Sequence, residues 1–303
     1  MILVTGATGL VGAHLLRLLI NTETQPIRAL KRTTSEIQNL QDIAHQVEWI
    51  DCDILDVQGL YEAMEGVKQV YHCAAFISFA PKYADDMRAI NVTGTANVVN
   101  MALEQKVHKL VHVSSIAAIG RNNRDFEVSE NNKWETHKLN TNYAISKYLA
   151  EQEVWRGAAE GLNVAIVNPS IILGEGDWNK SSTRMFKQVW HNLKFYPSGG
   201  TGFVDVKDVV AVMEKLMNSR IANERFILNG DNVTHKTFLS MIAKGFNKKE
   251  PTIKVTSFIG EVAWRLEALR AFFTRKEPII TKETIRVSQK QYFYDNTKIK
   301  NAL

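Results

Sequence analysis

The sequence predicts an α/β protein: a doubly wound, parallel sheet with a smaller C-terminal α+β lobe. Three observations carry that prediction. Ile2-Leu3-Val4 is a short apolar run, as expected of a parallel strand buried on both faces. Gly6, Gly9 and Gly12 follow at once, and behind them Leu15, Leu16, Leu18, Leu19 and Ile20 recur at helical spacing. The same alternation of apolar run and helical pattern continues to about residue 170 and then loosens.

The glycine turn is the stretch around which the rest is organised. Gly6 can take the backbone angles of a tight turn. Gly9 has no Cβ, so a pyrophosphate can approach the main chain, and Gly12 lets the helix lie close to the strand. The helix then offers free N–H groups and the positive end of its dipole. The spacing is G-x-x-G-x-x-G, and in its context of strand, turn and helix it reads as a dinucleotide site.

At 303 residues the chain is long enough for one large domain, or one domain and a smaller lobe. Lys plus Arg exceed Asp plus Glu by 37 − 32 = 5, a mild and dispersed excess that does not argue for nucleic acid. Cys52 and Cys73 each fall in or beside an apparent core strand and read as small buried hydrophobes. Their spacing suits neither a disulfide framework nor a metal, and no metal site is expected. No apolar run approaches the roughly 18 residues of a membrane span. A strand that begins at Met1 leaves no room for a signal peptide, so the expected location is cytoplasmic. The close on Asn301-Ala302-Leu303, directly after a helical pattern, leaves room for a short tail beyond it.

Ile27 to Leu30 reads as a second strand, ending in Lys31-Arg32-Thr33-Thr34. An acid at that strand end accepts from a ribose 2′-hydroxyl and favours NAD; a base accepts a 2′-phosphate and favours NADP. Here Lys31 and Arg32 are both basic, and Arg32 can hold a phosphate through two N–H groups. NADP is therefore expected in preference to NAD. A third strand, Val47 to Ile54, carries Asp53 at its carboxyl end. Asp53 either meets an adenine amino group or caps the helix of Val57 to Met64, for which Asp56 competes. Val67 to Ala75 is the fourth strand, and its small-residue end, Ala74-Ala75, suits a backbone passing under a cofactor. His72 reads as a hydrogen-bonded strand residue. Asn91 lies in a long helical region: buried, it needs partners near the site; otherwise it is a surface amide. Leu110 to Ser115 is the fifth strand. Ser114 and Ser115 end it, at the edge where ligands bind in doubly wound sheets.

Residues 121–140 are polar and read as a long surface loop. The helix that follows carries Tyr143 and Lys147 four residues apart, on one face. Asn163 to Ser170 is a sixth strand and leads into Ile171 to Trp178, a loop with room for a ligand. Pro197 to Gly202 reads as a glycine-rich turn, Phe203 to Val210 as a strand running into a helix to about Met217, and Arg225 to Gly230 as a strand. Thr234 is the candidate N-cap of a helix over Phe238 to Ala243, and Thr252 to Val255 a further strand. Phe258, Val262, Leu266, Leu269 and Phe273 share a helix face, expected to pack on the small lobe rather than dock on a membrane.

A tyrosine phenol has a pKa near 10 in water, by the usual ~10 reference. To move a proton near neutrality it needs a nearby cation that stabilises the phenolate, and Lys147 is placed for that task. Ser115 can hydrogen-bond a substrate oxygen and hold it against Tyr143, while the glycine turn orients the nicotinamide for hydride transfer to the same carbon.

With these residues in hand, the chain resembles an extended short-chain dehydrogenase/reductase of the NAD-dependent epimerase/dehydratase superfamily. The matching pieces are Thr5 to Gly12, Asp53-Ile54, Asn91 to Thr95, Ser114-Ser115, Tyr143 to Lys147 and Asn168-Pro169-Ser170. Pro197 to Val209 is most similar to the dihydroflavonol reductase and 3β-hydroxysteroid dehydrogenase-like branch. The resemblance implies a Rossmann-type sheet. It implies catalytic roles for Ser115, Tyr143 and Lys147, with Asn91 in support. It also implies dinucleotide contacts from Gly6, Thr8, Gly9, Leu10, Val11, Gly12, Arg32, Asp53, Ile54, Ala74, Ala75, Tyr143, Lys147, Pro169 and Ser170. Family members often form homodimers through the Tyr143 helix and its neighbour. Two departures weaken sugar-nucleotide chemistry: Ile119-Gly120 stands where epimerases carry Tyr-Gly, and Ile116-Ala117 where dehydratases carry Asp-Glu.

The resulting expectation is an NAD(P)-binding domain over residues 1–170, with contributions from about 203–230, and a substrate lobe mainly in 171–303. The enzyme reduces a small-molecule ketone or aldehyde, or oxidises the matching alcohol. Phe76, Phe79, Trp178, Phe195 and Tyr196 are candidate walls of an apolar pocket, and Lys180, Arg184 and Lys187 candidate contacts for a diphosphate in the second lobe. The alternatives are a sugar-nucleotide epimerase that retains its cofactor and a non-enzymatic dinucleotide-binding regulator.

Overall fold

The structure, a computed structural model, describes residues 1–121, 126–136, 140–179, 181–275, 278 and 280–303. The first half runs β1 (Ile2–Thr5), α1 (Leu10–Thr22), β2 (Ile27–Lys31), β3 (Glu48–Asp51), α2 (Val57–Ala63), β4 (Gln69–His72) and α3 (Ala84–Met87). A π-helical stretch (Arg88–Thr93), α4 (Gly94–Glu104) and β5 (Lys109–Val113) follow. Next come β6 (Glu127–Val128), α5 (Asn142–Ala159), β7 (Val164–Pro169), β8 (Ile171–Leu173), α6 (Arg184–Trp190), β9 (Phe195–Pro197), β10 (Gly200–Asp205) and α7 (Val206–Asn218). The chain closes through β11 (Glu224–Leu228), β12 (Asp231–Thr234), α8 (His235–Gly245), β13 (Ile253–Val255), α9 (Ser257–Thr274), α10 (Lys282–Ser288), β14 (Phe293–Tyr294) and α11 (Thr297–Ala302).

Seven strands form one parallel sheet in the order β11-β7-β5-β4-β1-β2-β3. Its strands alternate between two apolar layers, as period-two side chains must. Ile2 and Val4 join Leu15, Leu16, Leu19, Val209 and Met213 on the α1/α7 side. Leu3 joins Leu60, Val98, Val99 and Val154 on the side of α2, α4 and α5. The sheet is therefore covered on both faces, which is why its strands are continuous apolar runs. A three-stranded sheet, β12-β10-β8, and a separate aromatic core around Phe186, Phe203 and Phe238 build the smaller lobe.

Several boundaries differ from the sequence reading. β3 and β4 are shorter than expected, so Asp53, Ile54, Ala74 and Ala75 lie in the loops beyond them. α1 starts at Leu10, which puts Gly12 inside its first turn. Ile171–Leu173 is a strand paired with β10 rather than loop, and Gly200 to Gly202 belong to that strand rather than to a turn. The long loop contains β6, which pairs with β14. Asp56, not Asp53, caps α2, accepting from the Gly59 N–H at 3.0 Å. The apolar face of α9 does not pack on the small lobe: Phe258, Val262, Leu266, Leu269 and Phe273 are all exposed. Among the described residues no helix is long and apolar enough to cross a membrane.

Candidate active site

The sheet order reverses between β1 and β4, and ligands of doubly wound sheets bind beyond the carboxyl ends at that point. The glycine turn stands there. Gly6 has φ +65°, and a Cβ on it would lie 2.5 Å from the Ala74 backbone nitrogen. A Cβ on Gly12 would come within 2.3 Å of the Gly6 carbonyl oxygen. A Cβ on Gly9 would meet only that same oxygen, at 3.2 Å, among the described residues. Gly9 is the N-cap of α1 without a side-chain cap, and no acid sits in the first turn. The N–H end of α1 is thus shaped for a diphosphate, and the chain's residues fit a dinucleotide. Thr8 is partly buried beside it, and Leu10 and Val11 pack their side chains onto the core. Leu10 also meets the loop after β8, where a Cβ on Gly176 would lie 3.2 Å from its Cδ1.

On the far side of the crevice α5 brings Tyr143 and Lys147 to the end of β5. Thr141 caps this helix, accepting from the Ala144 N–H at 3.0 Å. The Tyr143 phenol faces the Ser115 side chain, and its ring meets Phe79 at 5.9 Å, edge to face. Ser115 Oγ also accepts from the Ala117 N–H at 3.1 Å. Lys147 is buried and donates to the Val113 carbonyl at 2.8 Å. Burial pushes its ammonium down to about 8, against the opposing pull of Glu151. Burial raises the Tyr143 phenol, outweighing the neighbouring Ser115 side chain and the charge of Arg121. Lys147 lies one helical turn further along α5 and turns its ammonium to the Val113 carbonyl at the end of β5.

Asn91 is buried, not a surface amide. Its Oδ1 accepts from the Phe76 N–H at 2.7 Å, and its Nδ2 donates to the Phe76 carbonyl and to Ser146 Oγ, each at 2.9 Å. It therefore clamps the segment after β4 to α5, from within a π-helical turn of the kind often found at functional sites. His72 is buried between the hydroxyls of Thr5 and Thr95, at 2.7 and 2.9 Å.

At the end of β2, Lys31 is bonded to Asp51, while the Arg32 side chain is exposed. Asp53 is exposed and accepts from the Leu55 N–H at 2.9 Å. Ile54 is buried against Gly94, and Ala74 is partly and Ala75 more fully exposed at the crevice. Pro169 ends β7 and is buried; Ser170 is buried too, with no hydrogen-bond partner for its Oγ among the described residues. Of the aromatic walls, Phe79 reaches Tyr143 and Phe76 is fixed by Asn91, packing edge-on to Tyr83 at 5.6 Å. Trp178 instead joins Trp190 and Phe246 in the smaller lobe. Phe195 and Tyr196 lie on β9, Tyr196 under Lys236. Lys180 lies outside the described residues, and Lys187 donates to Asn179. Among the described residues no group of His, Cys, Asp and Glu could hold a metal.

Two residues at the site, Glu151 and Arg121, carry no sequence signal strong enough to single them out. Glu151 is fully buried and accepts from Ser114 Oγ at 2.7 Å, Asn168 Nδ2 at 2.8 Å and Arg225 Nη1 at 3.0 Å. Asn168 also donates to the Ser115 carbonyl at 3.0 Å, so the carboxylate anchors the strand end that carries Ser115. The available clue was its place four residues beyond Lys147, on the Tyr143 face. Arg121 reaches the rings of Tyr292 and Tyr294 at 5.3 and 5.8 Å and lines a crevice with Ala117, Ala144 and Trp134.

A parallel sheet reversing at a glycine turn, with Ser115, Tyr143 and Lys147 gathered at its carboxyl edge, defines a dinucleotide-dependent enzyme of short-chain dehydrogenase/reductase type. The chain belongs to the NAD dependent epimerase/dehydratase family, whose model matches residues 2–228. It is 31% identical over 291 residues to the sterol demethylase protein B of Methylococcus capsulatus, across 94% of this chain and 87% of that protein. It is 29% identical over 263 residues to cinnamoyl-CoA reductase 1 of Petunia hybrida, across 82% and 78% of the two chains. The crystal structure of gox2253 matches with a TM-score of 0.84 and 31% identity, covering 99% of this chain and 91% of that one. The chain is an NAD(P)-dependent oxidoreductase.

Proposed function

We propose that this chain reduces a ketone or aldehyde, and in the reverse direction oxidises the matching alcohol, with NADP preferred to NAD. The observation that carries the reading is the Tyr143 phenol facing Ser115 at the end of β5, one helical turn from the buried Lys147. Bound at the glycine turn, the nicotinamide cofactor supplies the hydride. Ser115 holds the substrate oxygen, and Tyr143 donates a proton to it. Burial keeps the phenol protonated, which is the form a reduction consumes. The Lys147 ammonium stabilises the phenolate left behind. Asn91 is a positioning residue that fixes the Phe76 segment against α5.

The test is NADPH consumption over a panel of small ketones and aldehydes. Tyr143→Phe should lower kcat by roughly 10²- to 10⁴-fold, the usual worth of a positioned acid, with KM little changed. A variant as fast as the parent would remove Tyr143 from the chemistry. Cofactor tightly held and permanently oxidised after purification would point instead to an epimerase.

The NADP preference is supported by Arg32, which is exposed at the end of β2 while Lys31 is occupied by Asp51. Arg32→Ala should weaken NADPH binding about tenfold or more, as expected for lost charged hydrogen bonds, and leave NADH unchanged. Fluorescence titration with each cofactor measures this. Equal affinities, insensitive to the substitution, would sink the phosphate role.

A further inference from the structure

α9 is an inside-out helix. Over its 18 residues, about 27 Å at 1.5 Å per residue, Gly260 is the only buried residue. Gly260 packs on Ile285 of α10, where a Cβ would lie 2.6 Å from Ile285 Cγ2. The side turned to the protein carries Gly260, Ala263 and Ala271, the partly buried Ile259 and Trp264 at its flanks, and the Glu267–Arg270 ion pair. The large apolar residues point away: Phe258 is 77% exposed, Leu266 63%, Leu269 55%, Phe272 78% and Phe273 75%, with Val262 between them. Spacings of three, four and seven put these on one continuous arc. A contiguous apolar surface of this kind marks a contact with something outside the chain.

Charge says what that contact is. Both acids of α9 are held by arginines of the same helix, Glu261 by Arg265 and Glu267 by Arg270. Further cations flank the helix: Lys254 precedes it, Arg275 caps its end, and Lys282 of α10 lies over the Trp264 ring at 5.7 Å. A second copy of this chain docked by two-fold symmetry would set these cations against themselves. An anionic surface meets them favourably, and large apolar side chains flanked by Lys and Arg are the composition of a helix lying in a lipid interface.

We infer that the outward face of α9 docks this enzyme onto an anionic lipid surface, with Phe258, Leu266, Leu269, Phe272 and Phe273 inserted and Lys254, Arg275 and Lys282 at the headgroups. The docking is peripheral, since the helix does not cross.

The experiment is cosedimentation of the full chain with vesicles of phosphatidylcholine alone and of phosphatidylcholine mixed with phosphatidylglycerol. Binding to the mixed vesicles should be about tenfold or more tighter, in line with several basic residues at an anionic surface, and should weaken as salt is raised. The double variant Leu266→Glu, Phe273→Glu should lose at least that factor. Met241→Glu, which alters an exposed apolar residue on α8, should not. Lys254→Glu with Arg275→Glu keeps the apolar arc and should lose the preference for anionic vesicles. Thermal melts and cofactor titration check that each variant is folded. Absence of binding to the mixed vesicles, or binding unchanged by both double variants, overturns the inference. So does a parent that is dimeric by light scattering and becomes monomeric on Leu266→Glu, Phe273→Glu, which would assign the face to a second copy.

Discussion

Glu151 has the most demanding environment of any carboxylate at the site. It has no solvent exposure, and Ser114, Asn168 and Arg225 all donate to it. A buried carboxylate survives only when such partners replace its water. Its charge also reaches Lys147, one turn back on α5, and holds up an ammonium that burial pushes down to about 8. Glu151→Gln removes that support and leaves the Arg225 guanidinium without its counter-charge. Breaking a buried pair from one side typically costs about 3–5 kcal/mol, so urea denaturation should show a loss of about 3 kcal/mol. Activity should report the second effect separately. Lys147 would lose its proton at lower pH, and the alkaline limb of the kcat/KM profile should move toward neutrality. A variant that is destabilised but keeps the parent's alkaline limb would confine Glu151 to the fold.

At the scale of elements, the glycine turn separates a role in folding from one in binding. A Cβ on Gly12 would run into the Gly6 carbonyl and the Ala7 Cα, at 2.3 and 2.7 Å, both backbone atoms that cannot swing aside. Gly12→Ala should therefore part α1 from β1 and destabilise by about 2 kcal/mol, within the range for overpacking. A Cβ on Gly9 would meet one carbonyl oxygen at 3.2 Å, so Gly9→Ala should melt within a few degrees of the parent. It should nevertheless weaken NADPH binding severalfold, because the methyl stands where the diphosphate approaches the chain. Parallel losses of stability and affinity in both variants would mean that the turn acts only through the fold. This turn was legible in the sequence because its parts are neighbours in the chain, as are Tyr143 and Lys147 on α5. The clamp of Asn91 on Phe76, the ring contacts of Arg121 and the Glu151 network join residues far apart in sequence, and no local pattern announces them. The apolar period of α9 was equally plain, but a period defines a face without saying which way it turns.

Across the whole molecule, the sheet that positions the site also makes it sensitive to acid. β4 and β5 pair with His72 opposite His112, and the two rings stack at 5.1 Å in the fully buried middle of the sheet. His72 is satisfied by two threonines, whereas neither ring nitrogen of His112 has a partner among the described residues. Burial and the nearby Lys147 charge push His72 down to about 3 and His112 well below its ordinary value. Both rings are therefore neutral in the folded chain, while in the unfolded chain each takes up a proton near the usual ~6.5. Because the folded pKa is depressed, the unfolded state binds more protons between the folded value and about 6.5, so stability is complete above about pH 7.5 and declines as pH falls through 6.5. At pH 5 the loss is roughly 2 kcal/mol for each ring by the same linkage. His112→Leu keeps the volume and removes one of the two titrations. Urea denaturation at pH 7.5 and pH 5 should then show a drop about 2 kcal/mol smaller in the variant than in the parent. Because carboxylates elsewhere titrate alike in both proteins, that difference isolates the ring. Identical drops would mean that His112 carries its proton in the folded sheet, and that the strands beneath Ser115 tolerate a charge that their packing argues they cannot.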